Sequence, residues 1–152
     1  MKIILDIDQD IEEDCVIIRC RELNDEAITL QRKLLEEQSV SQTIELFQGG
    51  KNYFLPIKEI YFFETNGTKI AAHTKDSIYE CNSTLRDLEK FIPYSFMRVS
   101  KSTILNLNYV QAVSRNITGA SEVEFVGTKK TTFVSRAYFK MFMEKMKEGY
   151  RL

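Results

Sequence analysis

The chain has one histidine, three cysteines and no apolar run that approaches a membrane span. A single histidine excludes multi-histidine metal sites and a duplicated histidine base. That residue, His73, falls in the β-patterned run Ile70–Thr74, where packing or a hydrogen bond is its expected role. Cys15, Cys20 and Cys81 are odd in number and lack C-x-x-C spacing, which fits buried thiols in a reducing compartment. Charges interrupt every apolar stretch well before the roughly 18–20 residues that cross a bilayer. The first residues, Met1-Lys2-Ile3-Ile4-Leu5-Asp6, meet acid almost at once and offer no small-residue cleavage site, so no secretion signal is read there. A cytoplasmic, soluble chain is expected.

Catalytic patterns are also missing. There is no G-x-S-x-G elbow, and no cysteine sits in a recognisable Cys–His setting. Asp6, Asp8 and Asp10 alternate as in a calcium loop, but Ile11 and Ile17 stand where that loop needs Gly and a bidentate Glu. Gly127-Thr128-Lys129-Lys130-Thr131 echoes a phosphate loop without its upstream glycine, in a β-turn setting. No enzyme activity, cofactor, metal or small-molecule substrate is expected.

What is present is an uneven distribution of charge. The chain carries 21 Lys+Arg and 22 Asp+Glu, a net −1. Met1–Gln48 holds 5 basic and 12 acidic residues, net −7; Gly49–Tyr94 holds 6 of each; Ser95–Leu152 holds 10 and 4, net +6. A polyanion would be repelled by one end and drawn to the other, the footprint of a nucleic-acid or anionic-surface binder.

With 152 residues and 43% hydrophobic content, one domain with a small extra module fits the length. Met1–Ile7 and Asp14–Arg21 pattern as strands. A helix capped by Asn24 or Asp25 is predicted to run to about Gln38. The polar Ser39-Val40-Ser41-Gln42 stretch is the candidate boundary. From Thr43 the texture becomes short β runs: a hairpin through Gly49-Gly50-Lys51-Asn52, then Glu59–Thr65 joined to Thr68–Thr74 by Asn66-Gly67. Ser77–Asn82 follows, then a helix capped by Ser83, with Leu85, Leu88, Phe91 and Ile92 on one face and Pro93 as its stop. Met97–Ser100, Thr103–Leu105, Val110–Ser114, Glu122–Val126 and Lys130–Val134 complete the β runs. Ser135 is placed as the cap of a last helix, Arg136–Glu148, whose Met/Phe stripe reads as core packing. No internal repeat or low-complexity segment interrupts this order.

Phe96-Met97-Arg98-Val99-Ser100-Lys101-Ser102-Thr103-Ile104-Leu105-Asn106 interleaves cations with hydroxyl residues and apolar anchors. Such hydroxyls donate to phosphate oxygens. Phe133-Val134-Ser135-Arg136-Ala137-Tyr138-Phe139 puts a hydroxyl and a guanidinium at a helix start, where backbone amides favour phosphate and Arg136 can reach a base edge.

Together with Ile60-Tyr61-Phe62-Phe63-Glu64-Thr65 and the Leu85…Leu88-Glu89 helix, these segments resemble the LytTR family of bacterial DNA-binding domains. The family pattern is an "I-x-Y-I-E-S"-like strand, a "T-L-x-x-L-E" helix, an "F-x-R-[IV]-x-R-S-x-[IL]-[VI]-N" segment and a terminal "V-S-R-x-Y". The match runs in family order from about Thr43 to Met146. It implies a mainly β (α+β), elongated DNA-binding domain over residues 43–152, with short helices, preceded by a small ββα extension over residues 1–42. It also implies a transcriptional regulator that puts loops, rather than a recognition helix, into the grooves of double-stranded DNA.

Under the resemblance, Thr68 and Lys69 in the Asn66-Gly67-Thr68-Lys69 loop, Lys101, and Arg136 take the base-contacting positions. Arg98, Ser102 and Ser135 map near the DNA backbone, and Asn66, Ser100, Lys129, Lys130 and Lys140 join them as expected backbone contacts. Lys101 stands where Arg is common and cannot make the planar fork to guanine, which bears on base preference. Short members without a receiver domain resemble stand-alone regulators that act beside a membrane-protein inhibitor and bind promoter repeats as homodimers. Met1–Gln42 is too short for a receiver domain. Two other readings stay open: a protein–protein module whose basic face docks an acidic partner, and an RNA- or single-strand-binding β domain stacking bases on Tyr61, Phe62, Phe63, Tyr79 or Phe54.

Overall fold

A computed structural model describes residues 2, 4–12, 14–39 and 42–149. The body is built from antiparallel strands in two sheets, with three α-helices. In chain order the elements are α1 (Asp25–Ser39), β1 (Thr43–Gln48), β2 (Lys51–Pro56), β3 (Phe62–Asn66), β4 (Lys69–His73), β5 (Ile78–Cys81), α2 (Leu85–Leu88), β6 (Phe96–Arg98), β7 (Thr103–Asn106), β8 (Val110–Ser114), β9 (Ser121–Phe125), β10 (Thr131–Val134) and α3 (Arg136–Gly149). The large sheet has the order β2-β1-β5-β4-β3-β7-β6, and the small one β10-β9-β8. The mainly β class expected from the sequence is what the chain adopts.

Turn chemistry fixes the hairpins. Gly49 and Gly50 both take positive φ (57° and 75°), the type I′ turn that matches the twist of β1 and β2. The next hairpin differs from its prediction. Asn66 pairs with Lys69, so Gly67 and Thr68 make the turn, and only Gly67 has positive φ (66°). That is the type II′ pattern, with glycine at the first central position.

One face of the large sheet is sealed by α2 and the segments around it: Ile44, Leu46, Phe63, Ile70 and Ile104 pack against Leu85, Leu88 and Ile57. α2 is a single turn, and its cap is Thr84, whose Oγ1 accepts from Asp87 N at 3.1 Å, rather than Ser83. The other face carries the small sheet and α3 over β3 and β7, where Phe62, Leu105, Val123, Phe125, Val134 and Phe142 are buried together. Phe62 lies between His73 and Phe125 in a stack, with centroids 4.0 and 5.2 Å away. Most of the Met/Phe stripe of α3 packs in the core: Phe142 is fully buried, with Tyr138, Met143 and Met146 against the same cluster, while Met141 is exposed.

The front of the chain departs from its prediction. α1 forms as expected, and Asn24 is its cap, with Oδ1 accepting from Ala27 N at 2.9 Å. The strands read at Met1–Ile7 and Asp14–Arg21 do not form among the described residues (Met1 and Ile3 lie outside them). Apolar, β-branched runs such as Val16-Ile17-Ile18 make a strand only when a neighbour completes the hydrogen-bond ladder, and among the described residues none pairs with this segment. Val16, Ile18 and Leu23 instead line a groove with Ala27, Ile28 and Leu34 of α1. Ile4, Leu5, Ile7, Val16, Ile17 and Leu23 remain exposed. α1 meets the body through Arg32, which reaches Glu148 at 3.4 Å and lies over the Tyr94 ring at 5.2 Å. Lys145 sits 4.3 Å from the same ring, with burial pushing its ammonium below its usual range.

Candidate nucleic-acid interface

Strand direction decides which loops share an end of the molecule. β3 finishes at Asn66 where β7 begins at Thr103, because Glu64 pairs with Thr103. The β3–β4 turn and the β6–β7 loop therefore lie side by side. Thr65 N donates to Ser102 O at 2.9 Å and extends that ladder one step. On its other side Asn66 pairs with Lys69. Neighbouring strands are about 4.8 Å apart, so the β3–β4 turn and the Ser100–Ser102 loop are close neighbours.

A second backbone bond brings in the helix. Ser135 N donates to Val99 O at 2.9 Å, joining the start of α3 to the β6–β7 loop. Ser135 holds the residue before the helix, and its carbonyl accepts from Tyr138 N at 3.1 Å. Arg136 follows, exposed, and Lys140 lies one turn along on the same side. Lys101 and Arg136 have no side-chain partner among the described residues, whereas Lys69 Nζ contacts Glu80 Oε2 at 2.7 Å. Because that pair is exposed, solvent screens it and an anionic ligand can compete for the ammonium.

The hydroxyls shape the loop. Ser102 N donates to Ser100 Oγ at 3.1 Å, and the two hydroxyl oxygens are 3.3 Å apart. Arg98 is committed within the protein. Its Nε donates to Ser100 O at 2.7 Å, one terminal nitrogen donates to Lys101 O, and the other meets Glu89 Oε2 at 3.1 Å. The position expected to contact a phosphate thus turns its guanidinium toward the loop and Glu89.

Lys129 and Lys130 are also set apart. Val134 pairs with Ser121 beside the α3 start, so the β9–β10 turn that carries these lysines falls at the opposite end of the small sheet. Lys130 Nζ donates to Thr74 O (2.8 Å) and Ser77 O (2.6 Å), and burial pushes its ammonium below its usual range. The two lysines do not join Lys101 and Arg136.

One neighbour lies outside every motif. Ser114 pairs with Glu122, which places the β8–β9 loop at the same end as Ser135. Arg115 in that loop lies 5.2 Å over the Phe139 ring and lines a groove with Lys140 and Lys147. Nothing about an isolated arginine signals this; it takes the register of β8 on β9.

The aromatics offered for base stacking mostly belong to the core. Tyr61, Phe62 and Phe63 are buried, Tyr79 is half-buried, and Phe54 is exposed. Among the described residues no cluster of His, Cys, Asp and Glu could hold a metal ion, and no helix is long and apolar enough to cross a membrane. Cys81 is buried as expected, while Cys15 and Cys20 are exposed.

Comparison with known proteins agrees with this architecture. The family model described as the LytTr DNA-binding domain matches residues 50–147. Uncharacterized HTH-type transcriptional regulators of Staphylococcus aureus strains NCTC 8325 and COL are each 23% identical over 146 residues, covering 96% of this chain and 98% of theirs. A solved LytTr DNA-binding domain from Bacillus cereus superposes with a TM-score of 0.63 at 18% identity, over 68% of this chain and 95% of that one. The helix-turn-helix label of the Staphylococcus proteins has no counterpart among the described residues. Here α2 is one turn between β5 and β6, and α3 follows a strand. By its family match, its fold and its ordered motifs, the chain belongs to the LytTR DNA-binding domain family.

Proposed function

We propose that this chain is a sequence-specific, double-stranded-DNA-binding transcriptional regulator that reads its site with the β3–β4 turn, the β6–β7 loop and the start of α3. One observation carries the reading. Two backbone hydrogen bonds, Thr65–Ser102 and Ser135–Val99, hold these three segments together at one end, with Lys101 and Arg136 exposed and without a side-chain partner among the described residues. Thr68, Lys69, Lys101 and Arg136 take the base edges; Asn66, Ser100, Ser102, Ser135, Lys140 and the added Arg115 take phosphates. Arg98, Lys129 and Lys130 drop out of the contact set, because their groups are engaged elsewhere or lie at the far end. The names of the Staphylococcus relatives, transcriptional regulators over nearly the same length, support the regulatory part.

The protein binds promoter repeats as a homodimer in the cytoplasm, and the front segment supplies the self-contact. Its exposed Ile4, Leu5, Ile7, Val16 and Ile17 leave apolar surface that a second copy can cover. A membrane-held inhibitor is the competing occupant of that surface.

The test is selection of duplexes from a randomised pool by the full chain, followed by competition with unrelated duplex, single strands and RNA. Enrichment of one duplex sequence, displaced weakly by the other three, is expected. If RNA or single strands compete best, or an acidic protein displaces DNA from an unselective chain, the reading fails.

A further inference from the structure

We propose that Arg98 is a positioning residue which, braced by Glu89, sets the shape of the β6–β7 loop and hence the aim of Lys101. This rests on the DNA-binding reading and changes the role that the family resemblance suggests for Arg98.

Arg98 closes β6, and its guanidinium turns back under the loop that follows. Donating to both Ser100 O and Lys101 O fixes the two peptide planes on either side of the Lys101 Cα. The remaining edge of the fork is held by Glu89 at 3.1 Å. Glu89 is the C-cap of α2, whose Leu85 and Leu88 are buried in the core, so the brace is anchored to the body and not to another loop. The arginine side chain is only 23% exposed. A planar five-donor fork can serve two carbonyls and a carboxylate at once, which the compact ammonium of lysine cannot do in one geometry. The carboxylate also offsets the guanidinium charge, which lowers its value as a phosphate ligand. Val99 N to Thr103 O, at 3.0 Å, closes the loop below. Lys101 thus projects from a rigid platform.

The experiment uses the full chain with Arg98→Gln, Arg98→Lys and Glu89→Gln. Three readouts are taken: affinity for the duplex the parent selects, affinity for a scrambled duplex with its salt dependence, and amide hydrogen exchange of residues 100–103 without DNA. All three variants should lose roughly tenfold or more on the selected duplex, comparable with losing one specific base contact, with little change on the scrambled one. Loop exchange should rise about tenfold in each, as a local opening becomes easier. A phosphate contact behaves differently. Arg98→Gln would then weaken both duplexes equally and lower the salt slope by about 0.9. Glu89→Gln would strengthen both by removing a negative charge, and Arg98→Lys would be nearly neutral. That pattern overturns the proposal, as does unchanged loop exchange. If Arg98→Gln fails to fold, the exposed Glu89→Gln decides. If the parent selects no duplex, the DNA reading falls, while the exchange data still judge the brace.

Discussion

The two ends of this β body carry similar cations and put them to different uses. At one end Lys101 and Arg136 make no ion pair among the described residues, while backbone hydrogen bonds fix the chain beneath them. At the other, Lys130 is drawn into the β4–β5 turn by two carbonyls, and Lys75 packs against Gly127. The density of positive charge along the sequence does not separate these ends. What separates them is whether the local backbone has already claimed the ammonium. A cation spent on carbonyls stabilises the fold, and one held clear by a rigid loop is available to a ligand.

The sharpest way to break this contrast is to strip each end in turn. Lys101→Ala and Arg136→Ala should each cost about 1–3 kcal/mol on the selected duplex while the melting temperature holds. Lys75→Ala with Lys129→Ala should leave that affinity nearly unchanged. Equal losses from the two ends, read by fluorescence anisotropy, would erase the distinction. Next in size, Lys130→Met should lower stability by about 1 kcal/mol in urea unfolding, through lost charge-assisted hydrogen bonds, and leave DNA affinity alone. Arg115→Ala is expected to lower the salt slope of binding by about 0.9 and to weaken selected and scrambled duplexes alike. A change confined to the selected duplex would move Arg115 from phosphate to base contact.

The smallest effect belongs to the join between the sheets. His73 is buried against Phe62, and its Nε2 meets Glu64 Oε1 at 2.8 Å. Burial holds its imidazole below the usual histidine range, against the opposing pull of Glu64. The unfolded chain therefore takes up a proton first as pH falls from about 6.5, and stability declines from there until the folded imidazole also protonates. Above about pH 6.5 this contribution is fully present. Thermal melts from pH 7.5 to 5 should show the parent losing more stability than His73→Gln, and parallel curves would refute the assignment.

Much of the body was legible because its turns declare themselves. Gly49-Gly50, Asn66-Gly67 and Pro93 punctuate the β-type runs, and the strands read at Thr68–Thr74, Ser77–Asn82, Thr103–Leu105, Val110–Ser114, Glu122–Val126 and Lys130–Val134 lie within one residue of the observed bounds of β4, β5, β7, β8, β9 and β10. The order of strands within the sheets was not legible, since pairing between distant runs leaves no local mark. A motif gives the residue type and spacing of Arg98 but not which way its guanidinium folds. Arg115 carried no motif. The front segment misled in the opposite sense: Asp14–Arg21 carries the β-type run Cys15-Val16-Ile17-Ile18, yet a ladder needs a neighbour, and among the described residues none pairs with it.

The bond from Ser135 N to Val99 O has a further consequence. It makes the molecule a caliper whose jaws are pinned, since shifting one jaw breaks a backbone hydrogen bond to the other. Relatives that come to favour different operators should then do so by exchanging the side chains at the tips, because lengthening either segment would spring the gauge.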